Sequence, residues 1–343
     1  MRKAVCDSRA IPWGQAQAAA TVDTTTLGRT GLTVSVAGLG CGGDSRIGMA
    51  TGLDRAGTVR LIREAHDLGV TLFDTGRVYG TEEILGEAIA AMPRDRIVVA
   101  TKYYGKADMT GADVVAALET SLRALGTDYV DIFQIHALHP DEYDHAEAAL
   151  VPALQRARAA GKFRFLGVTE TGPRDPGQKM LQRAVRDDVW DVMMLAFHIM
   201  HQGARTRLFP YTRAKGIGTM IMFAVRYLFS APGLLQKTVA GLAADGKLPP
   251  ALAADPEPLG FLIHEGGARD VIDACYRFAR HEPGAEVVLF GTGNPAHLQS
   301  NLASLNRPPL PAADLARLAG LFGHLEGVGL DLSARSRNGP AGR

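Results

Sequence analysis

Residues 58–74 read TVRLIREAHDLGVTLFD, and this stretch contains one complete helix–strand unit. Apolar residues at helical spacing predict an amphipathic helix over 58–68. Gly69 then stands in the position where a glycine ends a helix. Residues 70–73 form a short apolar run that predicts a buried strand, and the strand ends at the carboxylate of Asp74. This order of helix, glycine, strand and polar residue is the unit to follow along the rest of the chain.

The same unit recurs through most of the chain. Predicted strands cover 34–39, 70–73, 97–100, 130–135, 163–168, 192–196, 218–223 and 287–290. Predicted helices cover 58–68, 82–91, 113–125, 146–160, 177–186, 203–214 and 295–304. Alternation of strands and helices over about 300 residues is typical of an α/β protein, and here predicts a (β/α)8 TIM barrel.

A doubly wound open sheet shares this alternation and is the main alternative. Such a sheet would carry a glycine fingerprint directly after its first strand. Gly40, Gly42 and Gly43 follow that strand, but they lack the GxGxxG spacing and no helix comes directly after them. The barrel is therefore the favoured fold.

The composition is that of an ordinary globular protein, with 46% apolar residues in a chain of 343. A net charge of +1 gives no reason to expect nucleic acid as a partner. The longest apolar run is far shorter than the roughly 20 residues of a membrane span. Cys6, Cys41 and Cys275 are widely spaced, which argues against a disulfide framework or a metal site. We expect a cytoplasmic protein, and the sequence leaves its oligomeric state open.

The domain organisation is expected to be simple. Residues 25–330 are predicted to form one barrel domain. Residues 1–24 have two early cations and an alanine-rich end but no continuous apolar segment, so they are expected to be a flexible extension rather than a signal peptide. Residues 331–343 are expected to be a flexible tail.

Chemically active side chains stand at three of the predicted strand ends. Asp74, Lys102 and His136 each follow an apolar run, and Tyr79 lies on the loop beyond Asp74. The strand ends of a barrel meet at one mouth, so these groups are expected to converge. A free tyrosine has a pKa of about 10, and a nearby ammonium lowers it. A carboxylate would hold the lysine and the histidine would orient a substrate oxygen, so the set predicts proton transfer at a carbonyl or alcohol.

The chain resembles the aldo-keto reductases over about Leu27–Leu325. The resemblance is carried by Leu27–Ser35, Phe73–Thr75, Tyr79–Gly80, Thr101–Lys102, Ser121–Asp131, His136, Gly161–Lys162 and Gly167–Thr169. It implies a (β/α)8 barrel that binds NADP or NAD extended across its mouth, without a Rossmann fold. It also implies that Asp74, Tyr79, Lys102 and His136 are the catalytic residues.

The resemblance implies cofactor contacts at the ends of the fifth and sixth strands, where this chain departs from the family pattern. The family usually has Ser-Asn after the fifth strand, where the two side chains hold the carboxamide of the nicotinamide. This chain has Thr169 and Glu170 there. Thr169 keeps the hydroxyl, but an ionised Glu170 cannot donate a hydrogen bond. In the sixth strand Met194 stands where the family often has glutamine.

The seventh strand of the family usually ends with an aromatic residue that stacks on the nicotinamide. Met222 and Phe223 are both candidates for that position. Arg226 follows, and it either reaches the pyrophosphate or forms an ion pair on the rim.

The segment Gly291–Asn301 resembles the family's pocket for the adenosine half of the cofactor. Its backbone N–H groups precede a helix N-terminus, which suits a phosphate. Many family members place Lys or Arg here to pair with a 2′-phosphate, whereas this chain has Gly291 and His297, which favours NAD relative to NADP. Other candidate contacts to the cofactor are Thr292, Gly293, Asn294 and Asn301. A simple glycine–proline turn into a helix is the other interpretation, and the preference between NADP and NAD stays open.

These observations predict an NAD(P)-dependent oxidoreductase that acts between an aldehyde or ketone and an alcohol, or on a sugar lactol. Two other functions remain open. The chain could be a cofactor-binding sensor or regulatory subunit with little turnover, because Glu170 and Met194 depart from the family pattern. It could also be a lyase in which Lys102 forms a Schiff base, although Asp74 and Tyr79 would then have no clear role.

Overall fold

The computed structural model describes residues 22–330. The predicted tail 331–343 and nearly all of the predicted extension 1–24 lie outside these residues. Val22 is buried and Thr24 begins the first strand, so regular structure starts inside the predicted extension. In residues 22–330 no helix is long and apolar enough to cross a membrane.

Eight of the strands close into one parallel barrel. The strands of the described residues, β1 to β10 in chain order, are Thr24–Thr26, Thr33–Ser35, Ala37–Gly40, Leu72–Asp74, Val98–Tyr104, Val130–Leu138, Phe163–Glu170, Val192–Ala196, Gly218–Met222 and Val287–Phe290. The barrel order is β10-β3-β4-β5-β6-β7-β8-β9, and β1 pairs antiparallel with β2 outside it. The predicted (β/α)8 fold is therefore confirmed.

Helices surround the barrel and pack on it through apolar faces. The α-helices of the described residues, α1 to α14 in chain order, are Arg55–Asp67, Glu82–Ile89, Gly111–Leu125, Tyr143–His145, Val151–Ala159, Lys179–Ala184, Ala204–Arg207, Phe209–Lys215, Tyr227–Ser230, Leu234–Ala244, Pro250–Ala253, Val271–Arg280, Pro295–Leu305 and Ala312–Phe322. Helix α1 begins before the predicted residue 58, because the Asp54 side chain caps it by accepting a hydrogen bond from the Gly57 N–H. Helix α3 ends at Gly126, which has a φ of 63°.

The prediction of one strand over 34–39 was wrong, because this run forms parts of two strands. The first part belongs to β2, in the hairpin with β1, and the second is β3 of the barrel. Ser35 lies at the break between the two strands. Its hydroxyl donates to the Ala37 carbonyl and accepts from the Thr71 N–H, and the Ser35 N–H donates to Thr71 Oγ1. The local backbone is thus tied by side chains where a continuous strand would use a ladder.

The hairpin closes the barrel at the end opposite to the carboxyl ends of the strands. Leu27, Leu32 and Val34 are buried in one apolar cluster with side chains from inside the barrel, among them Leu72 and Ile132. The approach is close at Gly28, where a Cβ would lie 2.3 Å from the Gly218 backbone nitrogen and φ is 46°. The barrel interior is therefore a packed core, and a ligand of the barrel is expected at its mouth.

Candidate active site

The four predicted catalytic side chains come together at the mouth of the barrel. Asp74 is the last residue of β4, Lys102 lies in β5 and His136 in β6, while Tyr79 lies in a 3-10 turn just beyond Asp74. Register sets the neighbours, since Asp74 pairs with Ala100 and Lys102 with Gln134. Three neighbouring strands thus bring these side chains together, as their positions at predicted strand ends indicated.

Asp74 and Lys102 form a buried ion pair. Lys102 Nζ donates to both carboxylate oxygens of Asp74, at 2.7 and 2.6 Å, and to the Thr75 carbonyl at 2.7 Å. Burial raises the pKa of the Asp74 carboxyl, while the charge and hydrogen bond of Lys102 oppose that rise. All three donor directions of the ammonium are used, so the geometry leaves no lone pair on Nζ for the Schiff-base nucleophile considered above.

Tyr79 and His136 form the second half of the site. The Tyr79 hydroxyl lies 3.3 Å from His136 Nε2, and the two rings meet edge to face with centroids 5.5 Å apart. Lys102 Nζ lies 5.1 Å from the centroid of the Tyr79 ring. A carbonyl oxygen placed against the hydroxyl and Nε2 would thus meet two hydrogen-bonding groups, with the ammonium behind the phenol.

The pKa of Tyr79 differs from the sequence expectation. Lys102 was expected to lower it, yet burial raises it well above 10, and the nearby Asp74 raises it further. Lys102 does not offset this rise in the Tyr79 pKa, because Asp74 already balances the charge of Lys102 at contact distance. Burial also lowers the pKa of His136 well below 6.5, with Lys102 acting in the same direction. Near neutral pH the site therefore holds a neutral phenol and a neutral imidazole.

The predicted carboxamide contacts lie at the end of β7. Thr169 is buried, and its Oγ1 accepts a hydrogen bond from the Ala137 N–H at 2.7 Å. Glu170 is buried too, and its Oε1 accepts from the Ala196 N–H at 2.6 Å. Gln178 Nε2 donates to the Ala196 carbonyl, so the Glu170 and Gln178 side chains hold the same residue at the end of β8.

Burial favours the protonated form of Glu170, which bears on the sequence argument about its donor capacity. Burial raises the pKa of its carboxyl to about 8. Its Oε2 is buried without a hydrogen-bond partner in the described residues, and so is Oε1 of Gln178. An ionised Glu170 could only accept hydrogen bonds, but a protonated one donates. A protonated Glu170 thus has the hydrogen-bond donor that the ionised form lacks.

The candidate cofactor contacts on β8, on β9 and just after β9 have different surroundings. Met194 is buried in the apolar cluster inside the barrel, and Met222 is half-buried where β9 ends. Phe223 follows with a φ of 69°, and its ring lies close to Gly172. Arg226 lies over that ring at 4.0 Å and donates to the carbonyls of Gly329 and Leu330. The sequence analysis considered a pyrophosphate contact or a rim ion pair for Arg226. It did not predict these hydrogen bonds to the last described residues.

The turn after β10 is folded partly by the residues proposed to bind the cofactor. Thr292 Oγ1 accepts from the Asn294 N–H, and Asn294 Oδ1 caps α13 by accepting from the Ala296 N–H. Gly293 is required because a Cβ there would lie 2.3 Å from Gly48 in the loop after β3. Gly291 and His297 are exposed, whereas Asn301 is buried on α13.

The comparisons with known proteins agree with this geometry. The model of the Aldo/keto reductase family matches residues 39–322. This chain belongs to the aldo/keto reductase family. It is 33% identical to L-galactose dehydrogenase of Arabidopsis thaliana over 203 residues, which cover 57% of this chain and 62% of that protein. The alignment thus spans less than two thirds of that relative.

Two further proteins are similar to this aldo-keto reductase, one in sequence and one in fold. It is 28% identical to NADH-specific methylglyoxal reductase of Escherichia coli (strain K12) over 237 residues, covering 62% of this chain and 69% of the other. Aldo-keto reductase AKR11C1 from Bacillus halodurans, solved in its holo form, superposes with a TM-score of 0.65 at 19% identity. That match covers 90% of this chain and all of the other, and it shows the fold.

The mouth of this aldo-keto reductase fits a nicotinamide dinucleotide. At the end of β7 the Oε2 of Glu170 is a buried polar atom with no hydrogen-bond partner among the described residues. At the end of β10 the side-chain-free Gly291 leads through a turn into the N-terminus of α13, which suits phosphate oxygens. This enzyme is an oxidoreductase that uses NADP or NAD.

Sequence reasoning missed two residues of this aldo-keto reductase site. Gln134 is buried in β6 and its Nε2 lies 3.4 Å from Asp74 Oδ1, so it is a further partner of the ion pair. Tyr104 stacks on His136 with ring centroids 5.2 Å apart. The signal was present: each stands two residues from a predicted catalytic residue on the same strand, so each shares its face.

Proposed function

We propose that this aldo-keto reductase interconverts a carbonyl and an alcohol through proton transfer at Tyr79. The observation that carries the proposal is the meeting of the Tyr79 hydroxyl with His136 Nε2 beside the buried Asp74–Lys102 pair. The cofactor, when bound, supplies or accepts the hydride at the carbonyl carbon. The protein must therefore manage one proton at the oxygen.

In the reducing direction Tyr79 would donate that proton. Its raised pKa keeps the hydroxyl protonated at neutral pH, so the donor is ready before the carbonyl oxygen gains negative charge. As the proton leaves, the ammonium of Lys102 lies 5.1 Å from the phenol ring and stabilises the phenolate. His136, kept neutral by burial, would hold the carbonyl oxygen through Nε2 without competing as an acid.

The substrate is proposed to be a small aldehyde, a ketone or a sugar lactol. Two named relatives are an L-galactose dehydrogenase and a methylglyoxal reductase. Both names describe compact polar molecules with a carbonyl or a lactol carbon. We therefore propose L-galactose and methylglyoxal as the first two compounds of an assay panel.

The decisive test is Tyr79→Phe, which removes one hydroxyl and keeps the ring. Removing the proton donor should lower kcat by roughly 10²- to 10⁴-fold, because that is what general acid catalysis contributes. NADH and NADPH affinities, followed by nicotinamide fluorescence, should stay within about twofold of the parent because no cofactor contact is lost.

Two results would contradict the proposal. Full turnover by a folded Tyr79→Phe protein would show that the proton comes from elsewhere. Tight cofactor binding by the parent with no turnover over a wide carbonyl panel would favour the cofactor-sensing alternative.

A further inference from the structure

Tyr104 and His136 are neighbours by strand register. In the parallel pairing of β5 with β6, Tyr104 lies opposite His136 just as Lys102 lies opposite Gln134. Side chains two residues apart on a strand share a face, so these four groups point to one side, the side of the ion pair. The Tyr104 and His136 rings stack with centroids 5.2 Å apart and planes only 5° from parallel.

The imidazole of His136 lacks the hydrogen bond that normally fixes such a ring. A functional histidine is usually oriented by a partner on its second nitrogen. Here Nε2 faces the Tyr79 hydroxyl at 3.3 Å, but Nδ1 is buried and has no partner within residues 22–330. One hydrogen bond leaves the ring free to rotate about it, so packing must set the orientation of the plane.

We propose, building on the function proposed above, that Tyr104 is a positioning residue whose ring holds the His136 imidazole with Nε2 towards Tyr79. The Tyr104 stack covers one face of the imidazole. The edge contact with Tyr79 limits rotation of the ring away from that stack. Together the two contacts replace the missing anchor on Nδ1.

The ring of Tyr104, rather than its hydroxyl, performs this role. Tyr104 is half-buried and forms no hydrogen bond through its hydroxyl to His136, whose Nε2 faces Tyr79. Its own ring is confined by Tyr103, with centroids 5.9 Å apart, and by the Lys106 ammonium 5.5 Å from its centroid. A phenylalanine keeps all of these ring contacts, whereas an aliphatic side chain loses them.

The matched variants are therefore Tyr104→Phe and Tyr104→Leu. The Leu variant should lower kcat by roughly tenfold or more, because small misplacements of a catalytic group carry such costs. Cofactor affinity should not change in either variant, and the Phe variant should keep kcat within about twofold. Tyr104→Met serves as a second non-aromatic variant if the Leu protein is unstable.

A second measurement reads the imidazole directly. The ¹⁵N signals of His136, assigned by their loss in His136→Gln, are followed against pH in each variant. The titratable groups around this ring are Tyr79 on the turn after β4, and Lys102 and Tyr104 on β5, with Asp74 behind Lys102. Losing the Tyr104 ring exposes the imidazole to water, so its pKa should rise towards 6.5 in the Leu and Met variants but not in the Phe variant.

The two measurements separate this proposal from the proposed function. Identical kcat and identical His136 signals in the Leu and Phe variants would overturn the positioning role. A parent protein without turnover, but with a His136 signal that shifts only in the Leu and Met variants, would refute the proposed function and leave the positioning role standing.

Discussion

At the scale of single residues, the space beside Tyr79 depends on a glycine. A Cβ on Gly42 would lie 2.7 Å from Tyr79 Cε2 and 2.8 Å from two other ring carbons. Gly42 does not have a left-handed backbone conformation, so the absence of a side chain is what matters there. Neighbouring Gly43 differs in both respects, because its φ is 71° and no heavy atom lies within 4 Å of the point that a Cβ would occupy.

We predict that Gly42→Ala impairs catalysis by displacing the phenol. The added methyl should push the Tyr79 ring away from His136 and lower kcat by roughly tenfold to 10²-fold, with cofactor affinity little changed. Gly43→Ala is the matched control: a left-handed alanine costs roughly 1–2 kcal/mol of stability but should leave kcat alone. Steady-state kinetics and urea unfolding of both variants check this. Equal kcat in the two variants would contradict it.

The sequence predicted which side chains meet at the candidate site but not the contacts among them. Asp74, Lys102 and His136 were found because each follows an apolar run, which is a local property of the chain. The Tyr104–His136 stack depends on the register of two strands, and the retained proton of Glu170 depends on its burial beside β8. Register and burial follow from packing, so no local pattern shows them.

At the scale of secondary-structure elements, local sequence signals predicted the presence of helices and strands better than their first and last residues. The strands 192–196 and 287–290 were predicted with the observed bounds, and Gly284 before the second and Gly291 after it are turn signals that delimit it. The predicted helix 146–160 is instead a π-helical turn, Ala146–Leu150, followed by α5. Helices α10, α11 and α12 were not predicted: residues 247–260, rich in proline and glycine, interrupt this segment, and the clear apolar face of α12 was overlooked.

Helix α13 is the element on which the cofactor preference can be tested. His297 is exposed in the first turn of this helix, where the family resemblance places a cation. We predict that His297→Arg tightens NADPH binding by about tenfold, because a guanidinium pairs with a phosphate through charged hydrogen bonds. His297→Gln is the uncharged control, and NADH affinity should stay constant in both. Fluorescence titrations would refute the prediction if both cofactors gained equally.

At the scale of the whole molecule, buried titratable groups make the free energy of unfolding change with pH in opposite directions. Burial raises the pKa of Glu170 to about 8, so its contribution to stability is fully present below its unfolded pKa of about 4.5 and is lost as pH rises through 8. Burial lowers the pKa of His201 to about 4, so its contribution is present above 6.5 and is lost as pH falls through 4. His198 acts in the same direction as His201.

We predict a stability maximum between these two limits. From pH 5 to pH 7 the Glu170 and His201 contributions each change by on the order of 2 kcal/mol, with opposite signs. Glu170→Gln keeps an acceptor for the Ala196 N–H and should remove much of the loss towards pH 8. His201→Asn keeps an acceptor for the Gly327 N–H and should reduce the loss towards pH 5. Urea unfolding from pH 5 to 9 checks both, and unchanged slopes would contradict the assignment.

The closure of the barrel also determines what a ribosome exposes while it makes this chain. Strand β3 pairs with β4, which follows soon, and with β10, which emerges last among the strands of the described residues. Until Val287–Phe290 has been synthesised, the nascent barrel is an open sheet whose two edges, β3 and β9, present unpaired backbone groups to other chains. Chaperone protection during synthesis therefore matters most in the interval between β9 and β10, which the long helical segment α9–α12 extends.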